Sequence, residues 1–541
     1  MKRAYLLLVP LCASCTATSA ARPSPRSVVA SPPPFDVAQL RADIRFLASD
    51  LLAGRRAGTP GYDIAAEYVA SRFAMMGIAP GGPDGYFQPL RLREVTPDLA
   101  ATTVELSDAA LAAAIRVPAT AIVNADLAHL DLELSGAMTY VGKGVCDADT
   151  GRDDAAGADL RGRFAVMIAG IADGLPAARA AVRSDTAAKW ACVAKRGAIG
   201  IVNLRTPRAT VLPWTSTIAS YRSGSMGLLE GDAARSRSLP APIVVLDAPA
   251  ARAMLAAAGR DLDAEEARAA AGTTEHFDLP GTLRIRYRGR ARDVVSANVI
   301  GRIEGADPRL AREAVVISAH LDHLGVDSSG AIRNGAIDNA SGIAQLLAIA
   351  RALAAEPRPR RTVILLATTG EELGLLGAEG FTAHPEWPID RIVANINIDQ
   401  TGMLWPVVDV VADGAERSSL AGPAARAAAA LGLGVSPDPV PEQGFFLRSD
   451  QAPFARAGVP AMIFRPGFRD RAGGSDGNRA LFVKWRGTAY HAPLDKLDQR
   501  DPPIDFESGI TMARVVYLTA LDVANADQRP RWNAGDVFAP R

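Results

Sequence analysis

This chain has no excess charge of either sign: Lys and Arg total 59, Asp and Glu total 59, and the formal net charge over 541 residues is zero. Without a basic excess or a Lys/Arg cluster, there is no electrostatic case for a nucleic-acid partner. Long apolar runs are also missing. Ala4 to Leu11 is too short to span a bilayer, and no later stretch has the length and purity of a membrane helix, so no transmembrane helix is expected. Cysteine is scarce, with four residues in all: Cys12, Cys15, Cys146 and Cys192. No CxxC occurs in the body of the chain and the spacing does not suit a cysteine zinc site; Cys146 and Cys192 either pair or remain buried thiols.

The hydrophobic share of 48% and charged share of 22% describe a globular protein, and 541 residues exceed what one ordinary core holds. The first residues form an export-signal pattern over 1–21: Lys2 and Arg3, the short apolar stretch, then small residues from Ala13 to Ala21. The expected location is therefore exported, periplasmic or extracellular. Cleavage near Ala20 or Ala21 would release the protein. Cleavage before Cys15, where Ala13-Ser14-Cys15 has the form of a lipobox end, would leave a lipid anchor on Cys15 and an outer-membrane lipoprotein. Residues 22–34 are Pro/Ser-rich and read as an extended linker.

From Phe35 the pattern becomes helical. Asp36 caps a helix through Val37, Leu40, Ile44, Leu47 and Leu51, and a second helix carries Ile64, Tyr68, Phe73 and Met76 on its apolar side and ends at Gly77. Residues 35–100 form the helical lead-in of the main domain. Residues 101–282 read as an inserted mixed α/β module, with short apolar runs at Met138–Val141, Phe164–Ile168, Gly200–Val202 and Ile243–Leu246. Over 283–541, strands at Ala314–Ala319, Thr362–Ala367, Ile392–Ile398 and Pro460–Phe464 alternate with helices, the clearest at Ser341–Ala354. Continuous apolar strands alternating with helices predict an α/β fold with a mostly parallel central sheet flanked by helices.

Ligands of open α/β sheets bind beyond the carboxyl ends of the strands. Past those ends stand His320-Leu321-Asp322-His323, then Gly370-Glu371-Glu372, then Asp399; Asp338 begins a helix and His491 follows Tyr490. Imidazoles mixed with carboxylates suit zinc better than calcium or magnesium. The five residues His320, Asp338, Glu372, Asp399 and His491 exceed the needs of one tetrahedral ion with an open position, and suit two zinc ions per chain if one carboxylate bridges. Glu371, beside a ligand but diverging from it, is then free to act as a base. Each element has a plainer reading: Asp338 as a helix cap, Glu371-Glu372 as a solvated loop, the HLDH pair as coincidence. His129, His276 and His384 lack such context and read as structural.

With these residues the chain resembles metallopeptidase family M-28, the co-catalytic dizinc aminopeptidases. The matching motifs are His320-Leu321-Asp322, Asp338-Asn339 with Ala340-Ser341-Gly342, Gly370-Glu371-Glu372, Asn397-Ile398-Asp399 and Tyr490-His491. The resemblance implies a zinc-aminopeptidase-like fold and hydrolysis of the N-terminal bond of peptides with a free N-terminus. It makes Asp338 the bridging ligand, His491 the last ligand of one ion, and His320 with Glu372 or Asp399 the remainder. Glu371 is implied as general base, Asp322 as the residue orienting the His320 ring, and Tyr490 as a donor to the oxyanion. Tyr140 to Gly144, Asp159 to Phe164 and Ala194 to Ala198 resemble an inserted protease-associated domain. Ser449-Asp450-Gln451 stands where relatives often carry Ser-Asp-His, which points to an altered pocket for the first side chain. Relatives of this fold include dizinc carboxypeptidases and dipeptidases, one-metal glutaminyl cyclases, and receptor-like proteins with a silent site; the last lose ligands, and here all five are present.

Overall fold

The computed structural model describes residues 35–541 apart from 126, 209–212, 231–232, 237–239, 328 and 540–541. The signal, Cys15 and linker expectations lie outside the described residues. No helix among the described residues is long and apolar enough to cross a membrane.

Helix α1 spans Val37–Leu47, and the Asp36 carboxylate accepts from the Ala38 N–H at 2.8 Å, as its capping position requires. The helix does not extend to Leu51. A short 3-10 turn follows in which Ala53 and Gly54 take positive φ, and Leu51 is left 88% exposed. Helix α2, Pro60–Met75, buries Tyr62, Ala65, Ala66, Val69, Ala70 and Phe73, while Ile64 faces outward. Of the expected apolar side, Phe73 is buried and Tyr68 and Met76 pack partly buried against the core, so only Ile64 departs from the reading.

Strand β1, Phe87–Pro97, pairs antiparallel with β2, Phe277–Ile303. The N-terminal half of β2 pairs instead with the inserted strand Asp131–Tyr140, so one continuous strand runs through the expected boundary at 282/283. Within the inserted segment, Asp131–Tyr140, Phe164–Ile168, Gly200–Leu204 and Ile243–Leu246 lie side by side in parallel. Their side chains build a separate apolar core around Met138, Val166, Val202 and Val244. Cys146 and Cys192 are joined in a disulfide.

The C-terminal half adds β3 (Ala314–His320), α3 (Ser341–Ala355), β4 (Thr362–Thr368), α4 (Leu376–Ala383), β5 (Ile392–Asn397), β6 (Asp409–Asp413), β7 (Ala461–Pro466), α5 (Asp476–Thr488) and α6 (Phe506–Asn525). Strands β4, β3, β5 and β7 are parallel neighbours, flanked by antiparallel β2 and β6. Every residue of β3, β4 and β5 is buried, as expected for strands covered on both faces. The α/β class with a mostly parallel sheet is what the sequence pattern predicted.

Candidate metal centre

The parallel strands end together, and their carboxyl ends carry the chemistry. His320 closes β3, and Asp399 stands two residues past β5. Glu371 and Glu372 follow β4 across Thr369 and Gly370. Asp338 sits in the irregular turn Ala336–Ala340 that leads into α3, with a cis peptide bond to Asn339. His491 comes from the loop after α5 and holds a left-handed backbone at φ 58°.

Two donor sets form around Asp338. On one side His320 Nε2 lies 3.2 Å from Asp338 Oδ1 and 3.2 Å from Asp399 Oδ1. On the other, His491 Nε2 lies 3.3 Å from Asp338 Oδ2 and 3.0 Å from Glu372 Oε2. The two oxygens of one carboxylate therefore face separate sets, which pairs Asp399 with His320 and Glu372 with His491. Glu371 Oε2 stands farther out, 3.9 Å from His320 Nε2, and its side chain borders the open cleft.

These residues fit zinc. Asp338 Oδ1 and Glu372 Oε1 are buried without an aligned hydrogen-bond donor, and His320, Asp338 and Asp399 bring ligand atoms within 4.8 Å of one another, as do His323, Asp338 and Glu372. Mixed imidazole and carboxylate donors are zinc's preference. Burial alone raises a carboxylate's pKa, but the imidazoles of His320 and His491 beside it hold Asp338 well below its ordinary value. Glu372 is drawn down to about 2 against burial by His491 and His323. Glu371 goes the other way: burial, with Asp399, Glu372 and Asp450 nearby, lifts it well above the usual range despite His320. A carboxyl poised high beside a low one is the environment a base needs to exchange protons near neutrality.

The supporting shell departs from expectation in two places. The His320 ring is oriented by the backbone carbonyl of Asp322, 3.1 Å from Nδ1, and not by its carboxylate. That carboxylate accepts from the Glu371 N–H at 3.1 Å and the Glu372 N–H at 3.4 Å, because the loop after β4 folds over it. Nor does Gln451 line a substrate pocket. It is fully buried, accepting from Asn397 Nδ2 at 2.9 Å and donating to the carbonyls of Phe445 and Phe446, and so braces the strand that carries Asp399. Tyr490 borders the cleft, its ring stacked on His491 at 3.7 Å and covered by the Arg486 guanidinium.

Three supporting residues had no role in the sequence reading. Asp495 accepts from the Ile337 and Asp338 N–H groups at 2.8 and 3.0 Å, fixing the turn that presents Asp338. Arg55 is fully buried and donates to the carbonyls of Leu47, Leu321, Asn334 and Gly335. His323 lies beside Glu372. Only the HLDH spacing hinted at the last; Arg55 and Asp495 lie in stretches whose pattern says nothing of where their side chains go.

The solved aminopeptidase from Aneurinibacillus sp. strain AM-1 shares the fold, with a TM-score of 0.54 at 20% identity over 94% of this chain and 97% of that one. Residues 298–516 match the family model described as Peptidase family M28. That stretch, which holds all the donors above, is similar to the peptidase domains of that family. Among curated proteins, a vacuolar membrane protease of Candida dubliniensis is 41% identical over 107 residues, 20% of this chain and 10% of its own length. One from Yarrowia lipolytica is 39% identical over 106 residues, 19% and 10% respectively. The matches thus span about a tenth of the length of these relatives. They correct the expected location: the matching curated relatives carry names that place those proteins at a vacuolar membrane, not in a periplasm or outside the cell.

Proposed function

We propose that this chain is a dizinc aminopeptidase, removing N-terminal residues from peptides with a free N-terminus. The observation that carries the reading is Asp338, whose two oxygens face His320 with Asp399 on one side and His491 with Glu372 on the other. In this reading His320, Asp338 and Asp399 hold one ion and Asp338, Glu372 and His491 the second. Bound there, zinc supplies Lewis acidity to water and to the peptide carbonyl. Glu371 takes the proton of the attacking water on its carboxylate and delivers it to the departing amine. Tyr490, at the rim, donates its hydroxyl proton toward the oxygen that gains charge. An apolar pocket beside Asp399, lined by Ile337, Leu404, Trp405, Phe468 and Phe482, receives the first side chain.

The division into a peptidase part, 35–100 with 283–541, and an inserted protease-associated domain, 101–282, belongs to the same proposal. Its support is the separate apolar core of the inserted segment. Asn124, Asp185, Thr186 and Ser225 of that segment border the cleft with Glu371 and His491, so it shapes the approach of substrate without supplying a reacting group.

The test is a panel of aminoacyl anilides and their N-acetylated counterparts, assayed with zinc and with chelator. Free-amine substrates should turn over and acetylated ones should not; equal rates on both would refute the aminopeptidase reading. Glu371→Gln should keep its zinc and lose roughly 10²–10⁴-fold in kcat. A kcat within about tenfold of the parent would remove Glu371 from the base role.

A further inference from the structure

His323 is the third imidazole of the centre, and the activity above gives it no task. It is completely buried, and its Nδ1 lies 2.7 Å from Glu372 Oε1, close enough to donate after a small turn of either group, although the two are not aligned in this structure. Oε1 is the outer oxygen of the carboxylate; the inner one, Oε2, faces His491. The His323 ring is fixed from behind. The backbone N–H of His323 donates to the Arg55 carbonyl at 3.2 Å, and the edge of its ring backs onto Gly335, where a Cβ would stand 2.6 Å from His323 Cγ. Apart from His491 on Oε2, Glu372 makes no other side-chain ion pair or hydrogen bond among the described residues: its backbone N–H donates to Asp322, and no aligned donor serves Oε1. A glutamate on a loop has three rotatable bonds, so a ligand of this kind needs a partner to hold one orientation.

We propose that His323 is a positioning residue that donates from Nδ1 to Glu372 Oε1 and thereby leaves Oε2 alone to face the second cation. The imidazole must be the donor, since an ionised carboxylate only accepts. The competing role is direct: His323, Asp338 and Glu372 also bring ligand atoms within 4.8 Å of one another, so the ring could itself bind metal. The contact with the outer oxygen favours the indirect role. The inference rests on the two-zinc reading.

The two roles separate by where a substitute places its amide. Asn in place of His323 puts an N–H₂ close to the position of Nδ1, Gln puts it nearer that of Nε2, and Leu supplies neither; an amide nitrogen is no zinc ligand. Zinc stoichiometry and stepwise affinity would be measured on the full chain by metal analysis and chelator competition. The parent should bind two ions. His323→Asn should keep the second affinity within about threefold, and His323→Gln and His323→Leu should lose roughly 10–100-fold at the second site while the first stays unchanged. Asn as weak as Gln would overturn the donor role, and so would Leu as tight as the parent. The Asn–Gln comparison decides the matter even if the Leu variant fails to fold. A parent that binds fewer than two zinc ions would instead refute the two-metal reading.

Discussion

Replacing Arg55 by Met should destabilise the metal-free protein and loosen its hold on zinc together. Arg55 lies outside the segment that carries the donors, yet its guanidinium donates to Leu321, next to His320, and to Asn334 and Gly335, which lead to Asp338, at 3.0, 2.6 and 3.1 Å. It also donates to Leu47 at the end of α1. Burial draws its pKa down to about 10, with Asp322, Asp495, Asp338 and Glu372 holding it up, so it is charged at neutral pH. Met keeps the bulk but leaves buried carbonyls without donors, at about 1–3 kcal/mol each, and takes a cation from a cluster of acids. These losses do not add, and removing one member of a buried ionic group costs about 3–5 kcal/mol. For a chain this long the urea slope exceeds about 3 kcal/mol per molar, so the unfolding midpoint should fall by roughly 1 M. Displacing two ligand loops should weaken zinc roughly 10–100-fold. Arg55→Lys keeps the charge without the fork and should recover only part of either loss. A midpoint drop below about 0.2 M with zinc affinity unchanged would refute the reasoning.

The metal-free protein should lose stability as pH rises. Asp322 and Asp495 are raised to about 7 and Asp450 to about 6, in each case first by burial. The folded state therefore holds protons that the unfolded chain has released, and stability falls from about pH 4 to 7. His320 and His491, held well above their ordinary value by the surrounding carboxylates against burial, extend the loss above pH 6.5; His323, lowered by burial, works the other way. Zinc binding should strengthen over the same range, since its ligands must shed protons. Thermal melts at pH 5 and pH 8 should show the gap between zinc-loaded and zinc-free midpoints widening; a zinc-free midpoint that rises with pH counts against the assignment. Gly335→Ala should be poorly tolerated, because φ there is 59° and the added carbon meets the His323 ring. Loss of the second zinc ahead of the first, read by metal analysis, is the expected outcome; unchanged binding at both would show that the turn adapts.

Much of the centre was legible because it depends on local chain order. Apolar runs make buried parallel strands, such strands end at one edge, and the residues just past Ala319, Ala367 and Ile398 had to stand near one another. Period-3.6 reading found α1 and α2 but misjudged Leu51 and Ile64, since which flank of a helix is buried depends on what packs against it. The departure at Gln451 pointed by resemblance to an altered pocket, but the side chain's direction is set by Asn397 and the Phe445–Phe446 carbonyls.

By itself the sequence determined the α/β class, the mostly parallel sheet and the identity of the acids and imidazoles at the strand ends. Only the tertiary structure decided that Asp338 turns one oxygen to each donor set, that Asp399 pairs with His320 while Glu372 pairs with His491, and that Arg55, His323 and Asp495 hold the loops in place. The reason is physical: hydrophobic periodicity acts between neighbours along the chain. The orientation of a buried polar side chain is set by whichever donors and acceptors the fold brings to it from hundreds of residues away.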